Sequence, residues 1–196
     1  MPLSIIIWYN NTMTREQGLE ILKQNIQSQN LIKHCLAVEA IMRVLARRFE
    51  DDEEKWGLAG LLHDIDYEKV KDDLSQHSLV GAKILEDLGV EKDICQAVKV
   101  HNEAHGIFPQ TLFEKALFVT DPITGLIVAA TLILPSKKIA HLSLESVLKR
   151  FNEKAFARGA NREIIKKCEE YLNLKLEEFV KISLGVMQSI AKELGL

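Results

Sequence analysis

The stretch AGLLHDIDYE, residues 59–68, passes directly from apolar residues into His63, Asp64, Asp66 and Glu68. An imidazole followed at once by a carboxylate offers one nitrogen and one oxygen ligand to a metal ion. An ionised carboxylate is costly to bury unless it is paired or coordinates a metal, and the residues before it read as a buried helix. The end of this helix is therefore a candidate metal site.

Three further histidines and one aspartate occupy comparable places in the chain. His34, His77 and His101 each lie within or at the edge of a predicted helix, and Asp121 interrupts the apolar stretch ALFVTDPITGL. Taken singly, each has an ordinary explanation as a hydrogen-bonded core or capping residue. Taken together, the order H, HD, H, H, D is explained by one metal centre.

This order of six residues, with LAGLLHDID leading into the doublet, resembles the HD-domain superfamily of metal-dependent phosphohydrolases. The resemblance covers roughly residues 31–125. The two histidines that follow the doublet resemble the second-metal ligands of the dinuclear members. The ligands that the resemblance implies for the first ion are His34, His63, Asp64 and Asp121, and those for the second are Asp64 as a bridge, His77 and His101.

The donor types agree with this assignment. Imidazole and carboxylate together suit Mn, Fe, Co, Ni or Zn better than Ca or Mg, and the lack of thiolate ligands argues against a structural zinc site. Two ions that share the Asp64 carboxylate can activate a hydroxide and hold the phosphate oxygens during an in-line displacement. The expected function is metal-dependent hydrolysis of a small phosphoester, with a nucleotide as one candidate substrate and Asp64 as a catalytic residue.

The motif after the doublet departs from the family. Better-known members carry HDIGK, whereas this chain has HDIDY, so that Asp66 and Tyr67 replace the glycine and the phosphate-contacting lysine. The phosphate contact must come from elsewhere, and seven basic residues against two acidic ones lie between residues 137 and 162. A solvated surface is the alternative for most of them. The candidates for substrate binding are Lys33, Lys137, Lys138, Lys149 and Arg150.

The segment HNEAHGIFP, residues 101–109, is similar to the HHE and GYP signature of cyclic-di-GMP phosphodiesterases. Asn102 replaces the second histidine and the segment is too short, so this substrate is disfavoured. Glu103 and His105 remain candidate catalytic residues, either as a proton donor to the leaving group or as groups that orient the metal ligands. Solvated residues at a helix end are the alternative.

Two other function classes stay open. The same four histidines and two aspartates resemble the mixed-valence diiron HD enzymes that cleave C–C or C–P bonds with dioxygen. The third class is a non-catalytic module whose metal site only binds a ligand or braces the helices. Iron content and oxygen consumption, compared with release of inorganic phosphate, would separate these classes.

Helical periodicity must position all of these residues. Apolar residues recur at helical spacing through nearly the whole chain and no alternating strand pattern competes, which predicts an all-α bundle of eight or nine ordinary helices. The expected boundaries are a capping box at Thr14 and Gln17, a stop at Gly89, and N-caps at Ser143 and Asn161.

A single domain is expected for residues 13–196, with the metal-site core at about 31–125 and a helical extension at about 126–196. Residues 1–12 are interpreted as an N-terminal extension that could be disordered. Met13, just ahead of the capping box, is an alternative start of the natural chain.

Composition limits the partners. The 196 residues carry a net charge of −3, which gives no general basic field for nucleic acid. The three cysteines are isolated, as is usual in a reducing cytoplasm. The apolar run Gly125–Pro135 is too short to span a bilayer and predicts a buried helix. We expect a cytoplasmic protein that acts on a small phosphoester and binds neither nucleic acid nor membrane, and a homo-oligomer is left open.

Overall fold

The computed structural model describes residues 13–196, which form α-helices and three short 3₁₀ turns without a β-strand. The all-α prediction is therefore confirmed. Eight of the described helices have nine or more residues, in agreement with the periodicity. The eight long helices are α1 (Arg15–Asn25), α2 (Gln29–Arg48), α3 (Glu53–Leu62), α4 (Leu79–Asp87), α5 (Lys92–Val100), α6 (Leu112–Leu132), α7 (Leu144–Asn152) and α10 (Leu176–Ser189). Three short helices complete the described residues, namely α8 (Arg162–Lys166), α9 (Cys168–Leu172) and α11 (Ala191–Leu194).

The helix boundaries follow the capping residues in the sequence. Thr14 and Gln17 exchange hydrogen bonds as a complete capping box ahead of α1. Ser143 and Asn161 cap the first backbone N–H groups of α7 and α8 with their side chains. Gly89 follows α4 with φ +74°, a conformation that suits glycine. These four predicted boundaries are confirmed.

Helices α2 and α3 pack with their backbones in close approach. A Cβ atom added at Gly60 in α3 would lie 2.8 Å from both the Cα and the N atom of Glu39 in α2. Glycine at this position therefore lets the two helices approach each other, and the approach fixes the end of α3 against α2. His34 on α2 and His63 after α3 are held in register by this contact.

Helix α6 runs through the centre of the protein and contacts α2, α5, α7, α8 and α9. By length and composition it could span a membrane, but 61% of its apolar window is buried inside the fold. The buried helix predicted for Gly125–Pro135 is thus part of a longer helix that ends at Leu132. Pro122 lies inside it and removes one backbone hydrogen bond directly after Asp121.

Most of the buried apolar residues form one cluster that extends from Met13 to Leu194. The apolar stripe near the C-terminus is interrupted at Ile190, where the backbone leaves the helical conformation between α10 and α11. Residues 1–12, interpreted above as an N-terminal extension, lie outside the described residues. The division into a core and an extension at about residue 126 stays a prediction.

Candidate metal centre

The six predicted ligands come from five places in the chain, and helix packing brings them together. Helix α2 packs on α3 and α6, and α5 packs on α3, α4 and α6. The side chains at the meeting point are His34 from α2, His63 and Asp64 from the end of α3, His77 from the start of α4, His101 from the end of α5 and Asp121 from the middle of α6.

Asp64 lies at the centre of this cluster. Its Oδ1 atom is 3.4 Å from Nε2 of His63, 3.3 Å from Nε2 of His77 and 3.6 Å from Nε2 of His101. Its Oδ2 atom is 3.5 Å from Nε2 of His34. One buried carboxylate thus faces all four imidazoles, with a separate oxygen toward His34.

The remaining distances divide the cluster into two halves that share Asp64. In one half, Nε2 of His34 lies 3.1 Å from Nε2 of His63 and 3.1 Å from Oδ1 of Asp121. In the other half, Nε2 of His77 lies 3.2 Å from Nε2 of His101. The donor atoms lie close enough together to ligate metal ions in three overlapping groups, namely His34–His63–Asp64, His63–His101–Asp121 and Asp64–His77–His101.

Each imidazole turns its other nitrogen, Nδ1, away from the cluster toward a hydrogen-bond acceptor. The acceptor of His34 is the Thr124 hydroxyl, which donates its own hydrogen to the Asp121 carbonyl. The pairs are His34 with Thr124 Oγ1 at 2.9 Å, His63 with Gly60 O at 2.8 Å, His77 with Asp66 Oδ1 at 2.9 Å and His101 with Val98 O at 2.6 Å.

These contacts fit a metal centre. Because the acceptors take the Nδ1 hydrogen, each neutral imidazole presents the Nε2 lone pair to the cluster. Two such lone pairs 3.1 Å apart, as in His34 and His63, repel each other unless a cation lies between them. The donor set of imidazole nitrogens and carboxylate oxygens, without a thiolate, suits a divalent transition metal.

The charges of the cluster favour cations as well. Burial lowers the pKa of His63, but the nearby Asp64 and Asp121 carboxylates outweigh it and raise this pKa to about 9. Burial likewise lowers the pKa of His77, whereas hydrogen bonds with Asp64 and Asp66 raise it to about 10. In the metal-free protein these imidazoles therefore bind protons at neutral pH, and a metal ion must displace them.

The two aspartates respond in the opposite direction. Burial raises the pKa of Asp64 and of Asp121, but the neighbouring imidazoles outweigh burial and hold both carboxyl pKa values well below their usual range. Both side chains are thus anionic across the physiological pH range. Anionic oxygens are the form in which carboxylates ligate metal ions.

The other two acids of the AGLLHDIDYE stretch support the cluster from outside. Asp66 is fully buried and accepts the Nδ1 hydrogen of His77. Glu68 accepts the backbone N–H groups of Gln27 and Ser28, at 2.9 and 2.7 Å, and so ties down the turn between α1 and α2. The stretch therefore changes from apolar to acidic where it passes from the core to the cluster.

A cavity of about 750 Å³ opens over the cluster. Asp121 is the ligand that faces it most openly, with 34% of its side chain exposed, whereas the His63 side chain is fully buried. The cavity wall combines amides, one phenol, one ammonium group and apolar side chains. These are Asn30, Asn102 and Asn161, then Tyr67 and Lys71, and then Leu31, Pro122 and Ile164.

The two predicted acid–base residues have different places. Glu103 lines the cavity, and its Oε1 atom accepts a hydrogen bond from Nδ2 of Asn161 at 2.7 Å. His105 is absent from the described lining, and its Nε2 atom instead lies 2.5 Å from the backbone carbonyl oxygen of His77. The geometry keeps Glu103 as a candidate for contact with a ligand and gives His105 a part in holding the backbone of His77.

None of the five basic residues predicted to bind substrate is found among the described residues that line this cavity. Lys137 and Lys138 lie beyond the C-terminal end of α6, and α6 carries the chain roughly 16 Å from Asp121 before it ends. Their distance along this helix explains why these two lysines do not reach the cluster as the sequence suggested.

The other three basic residues point to different neighbours. Lys33 lines a separate cavity of about 450 Å³. Arg150 pairs with Glu153 at 2.5 Å and lies over the Phe156 ring, and Lys149 lies near the end of α7. The assignment of these residues to a phosphate contact has no support in the cavity lining.

Sequence reasoning missed two residues of the site. Thr124 lies three residues after Asp121 on the same helix and orients His34 from there. Lys71 is the one lysine or arginine in the cavity lining within residues 13–196. It lies four residues after Tyr67 in the turn segment that follows α3, so a basic residue close to the position of the lost HDIGK lysine was a signal that could have found it.

The fold and the cluster define an all-α protein with a histidine–aspartate cluster whose donor atoms could hold divalent metal ions. The HD domain family model matches residues 31–126, the part of the chain that supplies all six side chains. The chain belongs to the HD-domain family, whose members are generally metal-dependent hydrolases.

Relatives extend beyond this segment. The uncharacterized protein MJ0778 of Methanocaldococcus jannaschii is 34% identical over 166 residues, which cover 79% of this chain and 92% of that protein. Ribonuclease Y of Nitratidesulfovibrio vulgaris is 33% identical over 140 residues, and that of Oleidesulfovibrio alaskensis is 29% identical over 140 residues. In both cases the match covers 70% of this chain but 27% of the ribonuclease.

Proposed function

We propose that this protein hydrolyses a small phosphoester with the help of two divalent transition-metal ions. The observation that carries the proposal is the Asp64 carboxylate, which lies between two groups of imidazoles whose Nε2 atoms converge on it. One ion would be held by His34, His63, Asp64 and Asp121, and the other by Asp64, His77 and His101. Ions bound there activate water and neutralise phosphate charge.

Lys71 is our candidate for the phosphate contact. Its exposed side chain belongs to the cavity wall, on the segment that follows the metal ligands His63 and Asp64. A flexible ammonium group acts on a phosphate as a point charge and does not need the fixed geometry of arginine. Lys71 would therefore hold the substrate phosphate beside the cluster and replace the lysine that HDIGK proteins have at position 67.

Glu103 is our candidate for the proton donor. It lies in the cavity wall, and the Asn161 amide holds one of its carboxyl oxygens at 2.7 Å. The other oxygen is available to the leaving group of a bound ester, which must gain a proton when the phosphorus–oxygen bond breaks. Asn161 would keep this carboxyl at the edge of the cavity.

The cavity favours a small substrate over a polynucleotide. Its volume of about 750 Å³ is that of an ordinary small-molecule site. A bound strand needs several phosphates to be neutralised, yet Lys71 shares the described lining with the acids Glu68 and Glu103. The ribonuclease activity named for the relatives belongs to proteins of which this chain matches about a quarter, and we do not extend it to this chain.

Metal analysis combined with a substrate screen tests the proposal. The purified protein should bind close to two transition-metal ions and release inorganic phosphate from some member of a panel of nucleoside monophosphates and sugar phosphates. Oxygen consumption by an iron-bound protein that releases no phosphate would replace the proposal with the oxygenase class. Fewer than one ion bound per chain after incubation with Mn or Fe would contradict the metal centre itself.

A further inference from the structure

Asp66 is a buried acid behind one of the metal-facing imidazoles. Its side chain is fully buried, and Oδ1 accepts the Nδ1 hydrogen of His77 at 2.9 Å. Its Oδ2 atom accepts the backbone N–H groups of Ser78 and Gly81, at 2.8 and 2.7 Å, at the start of α4. Both oxygens are thus engaged, and the carboxylate connects His77 to the end of a helix.

The backbone of α4 leaves just enough room for this carboxylate. A Cβ atom added at Gly81 would lie 3.1 Å from Cγ of Asp66 and 3.2 and 3.3 Å from its two carboxyl oxygens. Any larger residue at this position would press on the carboxylate. The pair of Asp66 and Gly81 therefore fixes where the His77 ring lies.

Among the four imidazoles of the cluster, His77 is the one with an anion on Nδ1. The other three Nδ1 atoms face the neutral oxygens of Gly60, Val98 and Thr124. An anionic acceptor makes the opposite nitrogen of an imidazole a better metal ligand and fixes the plane of its ring. His77 should therefore be the strongest single imidazole donor of the cluster.

This difference matters because the two halves of the cluster differ in charge. In the proposed assignment the first ion has two carboxylate ligands, Asp64 and Asp121, whereas the second ion, bound by His77 and His101, has only the shared Asp64. A divalent ion in the second half would lack one negative charge in its immediate surroundings. Asp66 supplies that charge from behind His77.

We propose that Asp66 is a positioning residue that gives the second metal position its affinity, through the Nδ1 hydrogen bond with His77. The inference rests on the proposed two-metal centre. It assigns a function to the residue that replaces the glycine of HDIGK. Loss of the Asp66 carboxylate should lower the affinity for the second ion by about 10- to 100-fold and leave binding of the first ion unchanged.

Asp66→Asn tests the proposal, because an amide cannot accept from His77 on one side and from two backbone N–H groups on the other. The matched control is Ser78→Ala, which removes the 2.9 Å hydrogen bond from Ser78 Oγ to the Lys99 carbonyl and loosens the same segment without touching the carboxylate. Mn²⁺ titration followed by electron paramagnetic resonance counts the ions and detects coupling between them. Thermal melting of the metal-free proteins reports the structural cost of each change.

In Asp66→Asn we expect a lower affinity for the second Mn²⁺ and loss of the coupled spectrum. Ser78→Ala should keep the wild-type affinity for the second ion and the coupled spectrum, with a lower melting temperature. Gly81→Ala displaces the Asp66 carboxylate but keeps its charge, so it should lower the affinity for the second ion less than Asp66→Asn does. Gly81→Ala serves as the test variant if Asp66→Asn does not fold. The inference would be overturned if Asp66→Asn and Gly81→Ala bound two ions with wild-type affinity. It would also be overturned if Ser78→Ala lost as much affinity for the second ion as Asp66→Asn. Fewer than two ions in the wild type would overturn the two-metal centre first.

Discussion

Oδ1 of Asp64 lies 3.3 Å from Nε2 of His77, while its Oδ2 atom faces the opposite half of the cluster. The carboxylate is buried, with 6% of the residue exposed, so water does not replace it easily. A single buried anion that faces imidazoles of both halves, with Oδ1 near His63 and His77 and Oδ2 near His34, allows two cations to lie side by side.

Asp64→Asn should abolish most of the activity. The amide keeps the shape but removes the charge that both metal positions share, so we expect phosphate release to fall by at least ~10³, or about 4 kcal/mol of transition-state stabilisation. The metal-free variant should also be less stable than the metal-free wild type at pH 7, because the protonated imidazoles lose their anion. Metal content, turnover and melting temperature measure these effects.

Asp72→Asn is the matched control for this change. Asp72 is exposed on the same turn segment, so the substitution removes one negative charge without touching the cluster. It should leave turnover and metal content at wild-type values. Near-normal turnover with both ions retained in Asp64→Asn would instead show that Asp64 serves only as a helix-end residue.

Lys71→Met should weaken substrate binding more than turnover. Methionine keeps much of the apolar stem and removes the charge, so loss of a phosphate contact should raise KM about tenfold and change kcat less. The double variant of Lys137 and Lys138 to Met is the control, since both lie beyond α6 and away from the cavity. If the double variant raised KM as much as Lys71→Met does, Lys137 and Lys138 would be assigned the phosphate contact.

The metal-free protein should lose stability as the pH rises above neutrality. The pKa of His63 is raised to about 9 and that of His77 to about 10 in the folded state, against about 6.5 for an unfolded histidine. A raised pKa adds stability that is complete below the unfolded value and is lost as the pH rises through the folded value. The melting temperature should therefore fall between about pH 7 and pH 10.

Metal-bound protein should show the opposite trend or none, because a bound ion needs the deprotonated imidazoles. Melting curves measured with chelator and with Mn²⁺ across the same pH range separate the two cases. If the metal-free melting temperature rose with pH above 7, the imidazoles would not be the proton-binding groups that the geometry indicates.

Much of the fold could be predicted from the sequence because its signals are local. A capping box such as Thr14 with Gln17, or a glycine such as Gly89 after a helix, acts within one turn of the chain. The order of the six histidines and aspartates also pointed to side chains that the helix packing does bring together, since helices that present one ligand each must converge if they are to bind metal.

The hydrogen bonds that orient the ligands were only partly within reach of the sequence. His63 and His101 each follow the last turn of a helix, and the side chain of each binds the carbonyl oxygen three residues back, in the turn where carbonyls lack their usual helical partners. This spacing could have been recognised. The contacts of His34 with Thr124 and of His77 with Asp66 join residues from different elements, and no local pattern predicts them.

The basic segment shows where charge counting fails. The excess of basic residues between 137 and 162 is real, but its position relative to the cluster depends on the length and direction of α6. Lys71, four residues after the position of the missing lysine of the family motif, lines the cavity instead. Composition identifies charge, whereas only the packing of helices decides what the charge faces.

Gly60→Ala should damage the site through the scaffold, without removing any ligand. The added Cβ atom would lie 2.8 Å from backbone atoms of Glu39 and 2.9 Å from the Val38 carbonyl carbon, so relief requires α2 and α3 to move apart. Because His34 lies on α2 and His63 follows α3, the movement would separate two Nε2 atoms that are now 3.1 Å apart. We expect a loss of about 1–3 kcal/mol in the free energy of unfolding together with weaker binding of the first ion.

Gly125→Ala, on α6 with nothing within 4 Å of the added Cβ, should be neutral or stabilising by about 0.5–1 kcal/mol and keep both ions. Denaturant unfolding of the metal-free proteins and Mn²⁺ titration measure both effects, and a Gly60→Ala protein with wild-type stability and metal affinity would show that the α2–α3 contact does not set the ligand geometry.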